Sequence, residues 1–311
     1  MALELWLLSV VSVITTVVIV TFIREPVEEC YLDPHTSEYI KLPFGLTERP
    51  EKQLSIIIPA YNEAERLPKM LNEAVEYLEQ RKKNNSKFTY EIIVVDDGSV
   101  DHTSETAIKY SAKYGPDCVR VIKLVRNRGK GAAVRFGMLS ARGRSLLFAD
   151  ADGATKFSDV EKLEDALSVT IAEHWNGSMS VICGSRAHLE REALVKRHPF
   201  RNLLMYGFKM CVWLLCVRGV RDTQCGFKLF SRSAARVLFH NLHVERWAFD
   251  VDLLYLAKHF DMQIVEVPVC WQEIGGSKLV PIFSWMQMAK DLLLIRLRYS
   301  LGAWKIEPVH I

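Results

Sequence analysis

The stretch Leu146-Leu147-Phe148-Ala149-Asp150-Ala151-Asp152 decides the fold, because an uncharged apolar run ends directly in two carboxylates. The run predicts a buried strand. Open α/β sheets bind ligands at the carboxyl ends of their strands, where Asp150 and Asp152 follow. Two carboxylates this close repel each other unless a cation lies between them, and Mg²⁺ or Mn²⁺ shared with nucleotide phosphates is the natural candidate. The triplet alone is equally compatible with a solvated Asp-rich turn.

Strands and helices alternate around this stretch. Strands are predicted at residues 54–58, 91–95 and 119–125, and helices at 67–81, 103–114 and 129–141. This alternation is typical of an α/β fold whose mostly parallel sheet carries helices on both faces. We expect this α/β domain to cover residues 54–281.

The two ends of the chain differ from this domain. Residues 5–23 carry no charge, and as a helix they would span about 28 Å, close to the thickness of a bilayer core. Only Glu4 precedes them, so residues 1–24 are predicted to be an uncleaved transmembrane anchor rather than a signal peptide. Arg24 follows the run, which favours a cytosolic location for the rest.

Three further segments have weaker patterns. The proline-containing residues 25–53 are predicted to be a linker. The apolar residues 203–217 are expected to form a core helix or a helix on a membrane surface. Residues 282–311 predict an amphipathic helix at a membrane, with packing on the domain as the alternative. Seven cysteines without a C-x-x-C pair fit a reducing compartment.

Two more strands are predicted to end in polar loops at the same edge of the sheet. These loops are Pro59-Ala60-Tyr61-Asn62-Glu63 and Asp96-Asp97-Gly98-Ser99. Their carboxylates can accept hydrogen bonds from a ribose or a base, and the Tyr61 ring offers a flat face for the base. Each loop alone has an ordinary turn composition. Acidic loops at three strand ends of one sheet favour an enzyme that uses a phosphate-bearing donor.

Basic residues form two groups. No acidic residue occurs between Cys118 and Ala149, and a glycine-rich loop there contains Lys130 at the start of a predicted helix. Backbone N–H groups at such a start, with Lys130 beside them, would hold phosphate oxygens; a solvated basic face is the alternative. The second group includes Arg186 and Arg201, whose forked guanidinium groups fit phosphate or structural ion pairs. The net charge of +3 gives no indication of nucleic-acid binding.

Together these residues resemble a family-2 glycosyltransferase with the GT-A fold, over about residues 54–305. Two longer stretches are similar to the members that glucosylate dolichyl phosphate: Arg221-Asp222-Thr223-Gln224-Cys225-Gly226-Phe227-Lys228 and His243-Val244-Glu245-Arg246-Trp247-Ala248-Phe249-Asp250. The resemblance implies inverting transfer from UDP-glucose to dolichyl phosphate for N-glycosylation, at the cytosolic face of the endoplasmic reticulum membrane. Only part of the Q-x-x-R-W signature is present, which argues against a processive polymer synthase.

The resemblance also implies roles for individual residues. Asp150 and Asp152 match the metal-binding pair, and Asp152 is thereby assigned to catalysis. Arg186 and Arg201 match arginines that hold the acceptor phosphate. Either Asp222 or Asp250 is left as a candidate catalytic base. The donor-binding residues are expected to be Pro59, Tyr61, Glu63, Asp97, Lys130 and Asp150.

The same pattern bears on several other functions. An enzyme using GDP-mannose on the same fold stays open, because acidic and aromatic loops do not distinguish uracil from guanine. A catalytically silent, membrane-anchored nucleotide-binding subunit is the alternative from another class. A dinucleotide-dependent oxidoreductase is disfavoured, because Pro-Ala-Tyr-Asn-Glu stands where G-x-G-x-x-G is needed. The spacing around Lys130 also differs from that of a P-loop NTPase.

Overall fold

The computed structural model describes residues 30–32, 39–41, 45–174, 178–189, 207, 209–274 and 281–308. The predicted anchor at residues 1–24, and Arg201, lie outside the described residues. Among the helices that are described, none combines the length and the apolar character that crossing a bilayer requires.

Within the described ranges, nine strands form one mixed sheet in the order β2-β1-β5-β4-β3-β6-β8-β7-β9. The strands are β1 Cys30–Leu32, β2 Tyr39–Lys41, β3 Lys52–Ala60, β4 Tyr90–Asp96, β5 Val119–Lys123, β6 Gly143–Ala149, β7 Ser180–Ser185, β8 Phe227–Ser231 and β9 Gln263–Pro268. The neighbours β5, β4, β3 and β6 are all parallel, whereas β8 runs antiparallel between β6 and β7. The predicted α/β fold with a mostly parallel central sheet is confirmed.

Helices cover both faces of this sheet. They are α1 Leu67–Asn84, α2 Thr103–Tyr114, α3 Lys130–Leu139, α4 Val160–Glu173, α5 Arg232–Asn241, α6 Phe249–His259 and α7 Pro281–Ser300. Successive residues of β3 point to opposite faces, as a strand requires. Ile57 therefore belongs to the core that includes α3, α5, α6 and α7. Ile56 and Ile58 belong to the core that includes α1, α2 and α4.

The amphipathic pattern of α1 shows why these helices form. Its buried residues recur at helical spacing: Leu67, Met70, Leu71, Ala74, Val75 and Leu78. Proline in the first turn is compatible with a helix start, since the N–H group it lacks would have no partner inside the helix. The apolar face of α1 thus covers the sheet beside the strands that lead into the site.

One segment differs from the sequence-based expectation, and another matches the alternative that the sequence left open. The predicted linker at residues 25–53 contains β1 and β2, which pair with each other and extend the sheet beyond β5, and it also contains the start of β3. Helix α7 buries Met288, Leu292 and Ile295 in the core of the α/β domain. The helix is therefore part of that domain's packing, and membrane contact by its outer face stays a prediction.

Candidate active site

The Asp-x-Asp loop lies at the carboxyl edge of the sheet. Strand β6 ends at Ala149, so Asp150 and Asp152 follow it directly. The Asp150 Oδ1 atom lies 2.6 Å from the Lys130 Nζ atom. The Asp152 Oδ1 atom accepts a hydrogen bond of 2.9 Å from the Ala154 N–H. Burial raises the pKa of Asp152, and the charge of Asp150 raises it further. The charge of Asp150 thus disfavours ionisation of Asp152, as expected at a site for a cation.

Gly226 gives the Asp150 carboxylate its space. Strand β8 pairs Phe227 with Ala149, and the Asp150 N–H donates to the Gly226 carbonyl oxygen at 3.0 Å. A Cβ atom at position 226 would lie 1.9 Å from Asp150 Oδ2 and 2.3 Å from its Cγ. No side chain fits there, so glycine is required for close approach of the backbone to this carboxylate.

The donor set fits a hard divalent cation that is only partly held by protein. Asp150 and Asp152 offer carboxylate oxygens, the ligand type preferred by Mg²⁺ and Mn²⁺. In the part of the chain that the structure describes, no group of three or more His, Cys, Asp or Glu side chains could enclose a metal. Two carboxylates suit Mg²⁺, which usually keeps water and substrate phosphate oxygens in its coordination shell.

Several backbone N–H groups at the start of helix α3 donate to protein acceptors. The Gly129 N–H donates to Asp97 at 2.8 Å, and the Ala132 N–H donates to the Glu245 carbonyl oxygen at 3.0 Å. A Cβ atom at Gly131 would lie 2.5 Å from the Val244 carbonyl oxygen. These N–H groups therefore have protein acceptors, because Asp97 and residues 244–246 pack against the helix start, and phosphate binding by the rest of this loop stays a prediction.

Lys130 is the part of the loop that reaches the site. Its ammonium group contacts Asp150 and lies over two rings, 5.1 Å from the Phe148 centroid and 5.9 Å from the Trp247 centroid. The side chain is one-fifth exposed. Lys130 thus places a positive charge beside the Asp-x-Asp carboxylates, where donor phosphates are expected.

Asp97 connects two loops of the site. Its two carboxylate oxygens accept N–H groups of Arg128 and Gly129, both at 2.8 Å. Burial raises the pKa of Asp97 to about 6, although these hydrogen bonds favour its charged form. The carboxylate holds the loop before α3 against the end of β4. Contact of Asp97 with a nucleoside stays a prediction beside this structural role.

The loop after β3 is tied to the loop after β4. Asn62 adopts a φ of 53°, and its N–H donates to Ser99 Oγ at 2.9 Å. Glu63 accepts two hydrogen bonds from Arg66, at 2.6 and 2.7 Å. The Tyr61 ring is exposed beside them. The nucleoside-binding residues predicted on this segment are Pro59, Tyr61 and Glu63, and that role stays a prediction.

Arg186 and Asp222 form one unit. The Arg186 Nε and Nη2 atoms donate to the two oxygens of Asp222 at 2.7 and 2.8 Å. The Arg186 N–H donates to the same carboxylate at 2.8 Å. The Trp271 ring covers the guanidinium group, with its centroid 5.3 Å from Arg186 Cζ. The structure thus brings together a predicted acceptor-phosphate ligand and a candidate base; both roles stay predictions.

Asp250 and Lys228 form a buried ion pair beneath the site. The Lys228 Nζ atom donates to Asp250 Oδ1 and to the Cys225 carbonyl oxygen, both at 2.6 Å. Burial raises the pKa of Asp250, whereas the ammonium group of Lys228 lowers it. The pair holds the backbone before Gly226, and a catalytic role for Asp250 stays a prediction.

Sequence reasoning did not identify Lys228, Gly226 or Trp271 as site residues. The sequence contains one sign that Lys228 is buried with a partner, since it is the only charge in the apolar run 227–230. Trp271 and Gly226 gave none, because their importance depends on contacts with distant residues.

The comparisons with known proteins agree with this geometry. Residues 55–239 match the family model described as Glycosyl transferase family 2. The chain is 56% identical to dolichyl-phosphate beta-glucosyltransferase of Homo sapiens, over 99% of this chain and 94% of that one. It is 59% identical to the Mus musculus protein of the same name, over 86% and 82% of the two chains.

A solved structure has a similar fold. The crystal structure of M. tuberculosis glucosyl-3-phosphoglycerate synthase superposes with a TM-score of 0.51, at 17% identity and with 83% of each chain covered. At this identity the likeness shows the fold alone. The family model and the relatives, in contrast, cover most of the sequence that builds the site. The chain is a glycosyltransferase and belongs to glycosyl transferase family 2.

Proposed function

We propose that this enzyme transfers glucose from UDP-glucose to dolichyl phosphate with inversion, giving dolichyl β-D-glucosyl phosphate. The observation that carries the proposal is the segment 222–226, which bears Asp222, the partner of Arg186, at one end and Gly226, beside Asp150, at the other. A guanidinium group suited to a phosphate and a carboxylate pair suited to a diphosphate-bound cation therefore adjoin one segment. The names of the relatives support glucose as the sugar and dolichyl phosphate as the acceptor.

Each charged side chain then has a task. A divalent cation held by Asp150 and Asp152 would supply charge neutralisation for the UDP leaving group. Lys130 adds a positive charge beside Asp150. Arg186 orients the acceptor phosphate, whose oxygen displaces UDP at the anomeric carbon from the opposite face. A phosphate monoester has a second pKa of about 6, so the nucleophile is already ionised near neutral pH and needs no strong base.

The outer surface of two helices supports contact with a bilayer. The Cys216 Sγ atom, just beyond the helical residues 209–215, lies 3.6 Å from the Leu292 carbonyl oxygen of α7. Apolar side chains exposed on these helices and directly after α7 are Met210, Trp213, Leu214, Leu293, Leu297 and Leu301. Apolar side chains with nearby basic residues suit a membrane interface. We therefore propose a single-pass protein of the endoplasmic reticulum membrane, anchored by residues 1–24, with its catalytic domain in the cytosol.

Sugar transfer in detergent tests the proposal. The full chain is incubated with dolichyl phosphate and radiolabelled UDP-glucose, with and without EDTA, and with GDP-mannose in parallel. We expect a glucolipid from UDP-glucose only, and its loss with EDTA. Product from GDP-mannose instead would identify GDP-mannose as the donor. The absence of a lipid product from either donor would favour the catalytically silent subunit. Product formed at an undiminished rate in EDTA would contradict the requirement for a divalent cation.

A matched pair of variants tests the cation site. Asp152→Asn keeps the shape of the side chain but removes its charge, and we expect turnover at saturating metal to fall about 100-fold or more, because preorganised charge stabilisation is lost. Asp165→Asn, at an exposed carboxylate of α4, should keep wild-type turnover. Equal turnover in both variants would contradict the assignment of Asp152.

A further inference from the structure

We propose that Asp222 and Trp271 are positioning residues that orient Arg186 toward an incoming phosphate monoester, and that Asp222 is not the general base. The inference rests on the proposed function, because it takes dolichyl phosphate as the molecule that carries this monoester.

The hydrogen bonds of Arg186 leave one edge of its guanidinium group for a ligand. Asp222 occupies the side edge, formed by Nε and Nη2. Among the described residues, no acceptor binds the Nη1 atom. The side chain is 30% exposed, so solvent and ligand can reach the remaining edge, formed by Nη1 and Nη2. A guanidinium group can bind phosphate oxygens through two parallel N–H groups, and this edge presents such a pair.

The ring of Trp271 covers one face of the Arg186 guanidinium group. Its centroid lies 5.3 Å from Arg186 Cζ, within the range of a cation–π contact. The ring is itself held by the backbone, because Trp271 forms a β-bridge with Thr155 and the Gln272 N–H donates to the Ala154 carbonyl oxygen at 2.9 Å. Thr155 and Ala154 directly follow the Asp-x-Asp loop, so this contact links the orientation of Arg186 to the cation site.

The backbone at Asp222 is fixed by β9. Glu266 accepts the N–H groups of Arg221 and Asp222 at 3.0 and 2.9 Å. Asp222 is therefore held at its backbone by Glu266 and at its side chain by Arg186. A carboxylate that accepts three hydrogen bonds from one arginine serves well as an anchor for that arginine.

The electrostatics of Asp222 disfavour proton abstraction. Burial opposes the charged form, but the hydrogen bonds and charge of Arg186 outweigh burial and hold the pKa of Asp222 below its ordinary value. A general base works best with a pKa near the working pH, so a lowered pKa weakens it. An acceptor phosphate that is already ionised has no such need.

Asp222→Asn separates the two roles by kinetics. If Asp222 positions Arg186, we expect the KM for dolichyl phosphate to rise about 10- to 100-fold, the range for losing a hydrogen bond between charged groups, with kcat changed by less than about 5-fold. The acidic limb of the pH–rate profile should be unchanged. If Asp222 is the base, kcat should fall about 10²- to 10⁴-fold at unchanged KM, and the acidic limb should disappear. That second pattern would overturn the proposal.

A double-mutant cycle gives an independent readout. In an Arg186→Gln background, the arginine that Asp222 orients is gone, so Asp222→Asn should change the acceptor KM by less than about 2-fold. An undiminished effect of Asp222→Asn in that background would contradict the proposal. Asp165→Asn serves as the control for removing a carboxylate, and calorimetric UDP binding together with thermal unfolding shows whether each variant retains a folded donor site.

Substitutions at Trp271 test the same inference if Asp222→Asn does not fold. Trp271→Leu should raise the acceptor KM several-fold without a matching loss of UDP binding, and Trp271→Phe, which keeps an aromatic face, should restore most of it. Equal acceptor KM values for wild type and Trp271→Leu would overturn the role of the ring. Transfer by the wild-type enzyme distinguishes failure of this inference from failure of the proposed function. If the wild type is active and Asp222→Asn shows the kinetics of a lost base, only this inference is refuted. If the wild type transfers no glucose to dolichyl phosphate, both are refuted.

Discussion

Gly226→Ala is the substitution whose effect the structure defines most sharply. The new Cβ atom would lie 1.9 Å from Asp150 Oδ2, whereas Cβ contacts below 3.0 Å essentially do not occur, so the two atoms must separate by at least 1.1 Å. The backbone at Gly226 is paired with β6 and anchored through Lys228, so the carboxylate moves instead. A displacement of about 1 Å in a catalytic group can cost about 100-fold in rate. Forcing a methyl group into a packed site costs about 1–3 kcal/mol of stability.

Glucose transfer and urea unfolding, measured on the same preparations, test this reasoning. We expect Gly226→Ala to lose about 100-fold in turnover while it still unfolds cooperatively. Gly207→Ala is the control, because a Cβ atom at Gly207 meets no described residue within 4 Å. Combining Gly226→Ala with Asp150→Ala removes the clashing carboxylate, so Gly226→Ala should cost less than about 1 kcal/mol in that background. Wild-type turnover in Gly226→Ala, or an undiminished stability cost in the double variant, would refute the reasoning.

Two further predictions concern buried charges. Lys228→Met leaves the buried Asp250 carboxylate without its ion-pair partner and should lower the free energy of unfolding, measured in urea, by about 3–5 kcal/mol. The double variant Lys228→Met with Asp250→Leu should lose clearly less stability. Equal losses in the two variants would contradict the pairing. Burial raises the pKa of Asp252 to about 6, so the folded protein keeps a proton there that the unfolded chain loses near pH 4. The stability from Asp252 is therefore present below pH 4 and lost as pH rises through 6. The stability advantage of wild type over Asp252→Asn should shrink by about 2 kcal/mol from pH 4 to pH 7. A constant advantage across that range would contradict the raised pKa.

The central sheet and its helices were predictable because their patterns are local. Helix α2 covers residues 103–114, as its apolar spacing predicted, and β6 ends at Ala149, directly before the two carboxylates. Such elements follow from the periodicity of apolar residues over a short stretch of sequence. The same rule places strand ends at one edge of the sheet, so the position of the Asp-x-Asp loop followed from the alternation of strands and helices.

The pairing of charged residues was not predictable, because it depends on chain segments that meet only in the fold. Arg186 and Asp222 are 36 residues apart in sequence. The glycines around the start of α3 predicted a phosphate loop, and the sequence did not show that the Val244 carbonyl oxygen would pass 2.5 Å from the Cβ position of Gly131. Strands β1 and β2 have three residues each, too few for a periodicity to emerge.

The charges of the site explain why Asp152 is the sharpest place to test for a cation. Three carboxylates of the site each have a cationic partner: Asp150 with Lys130, Asp222 with Arg186, and Asp250 with Lys228. Asp152 has no ion pair with any described residue, and burial together with the charge of Asp150 raises its pKa. A partly buried carboxylate without an ion-pair partner costs stability unless a cation or a proton compensates it. Removing a paired carboxylate would leave a protein cation without its partner and confuse the result. Asp152→Asn breaks no such pair, so its effect reports more directly on the cation that the proposed function requires.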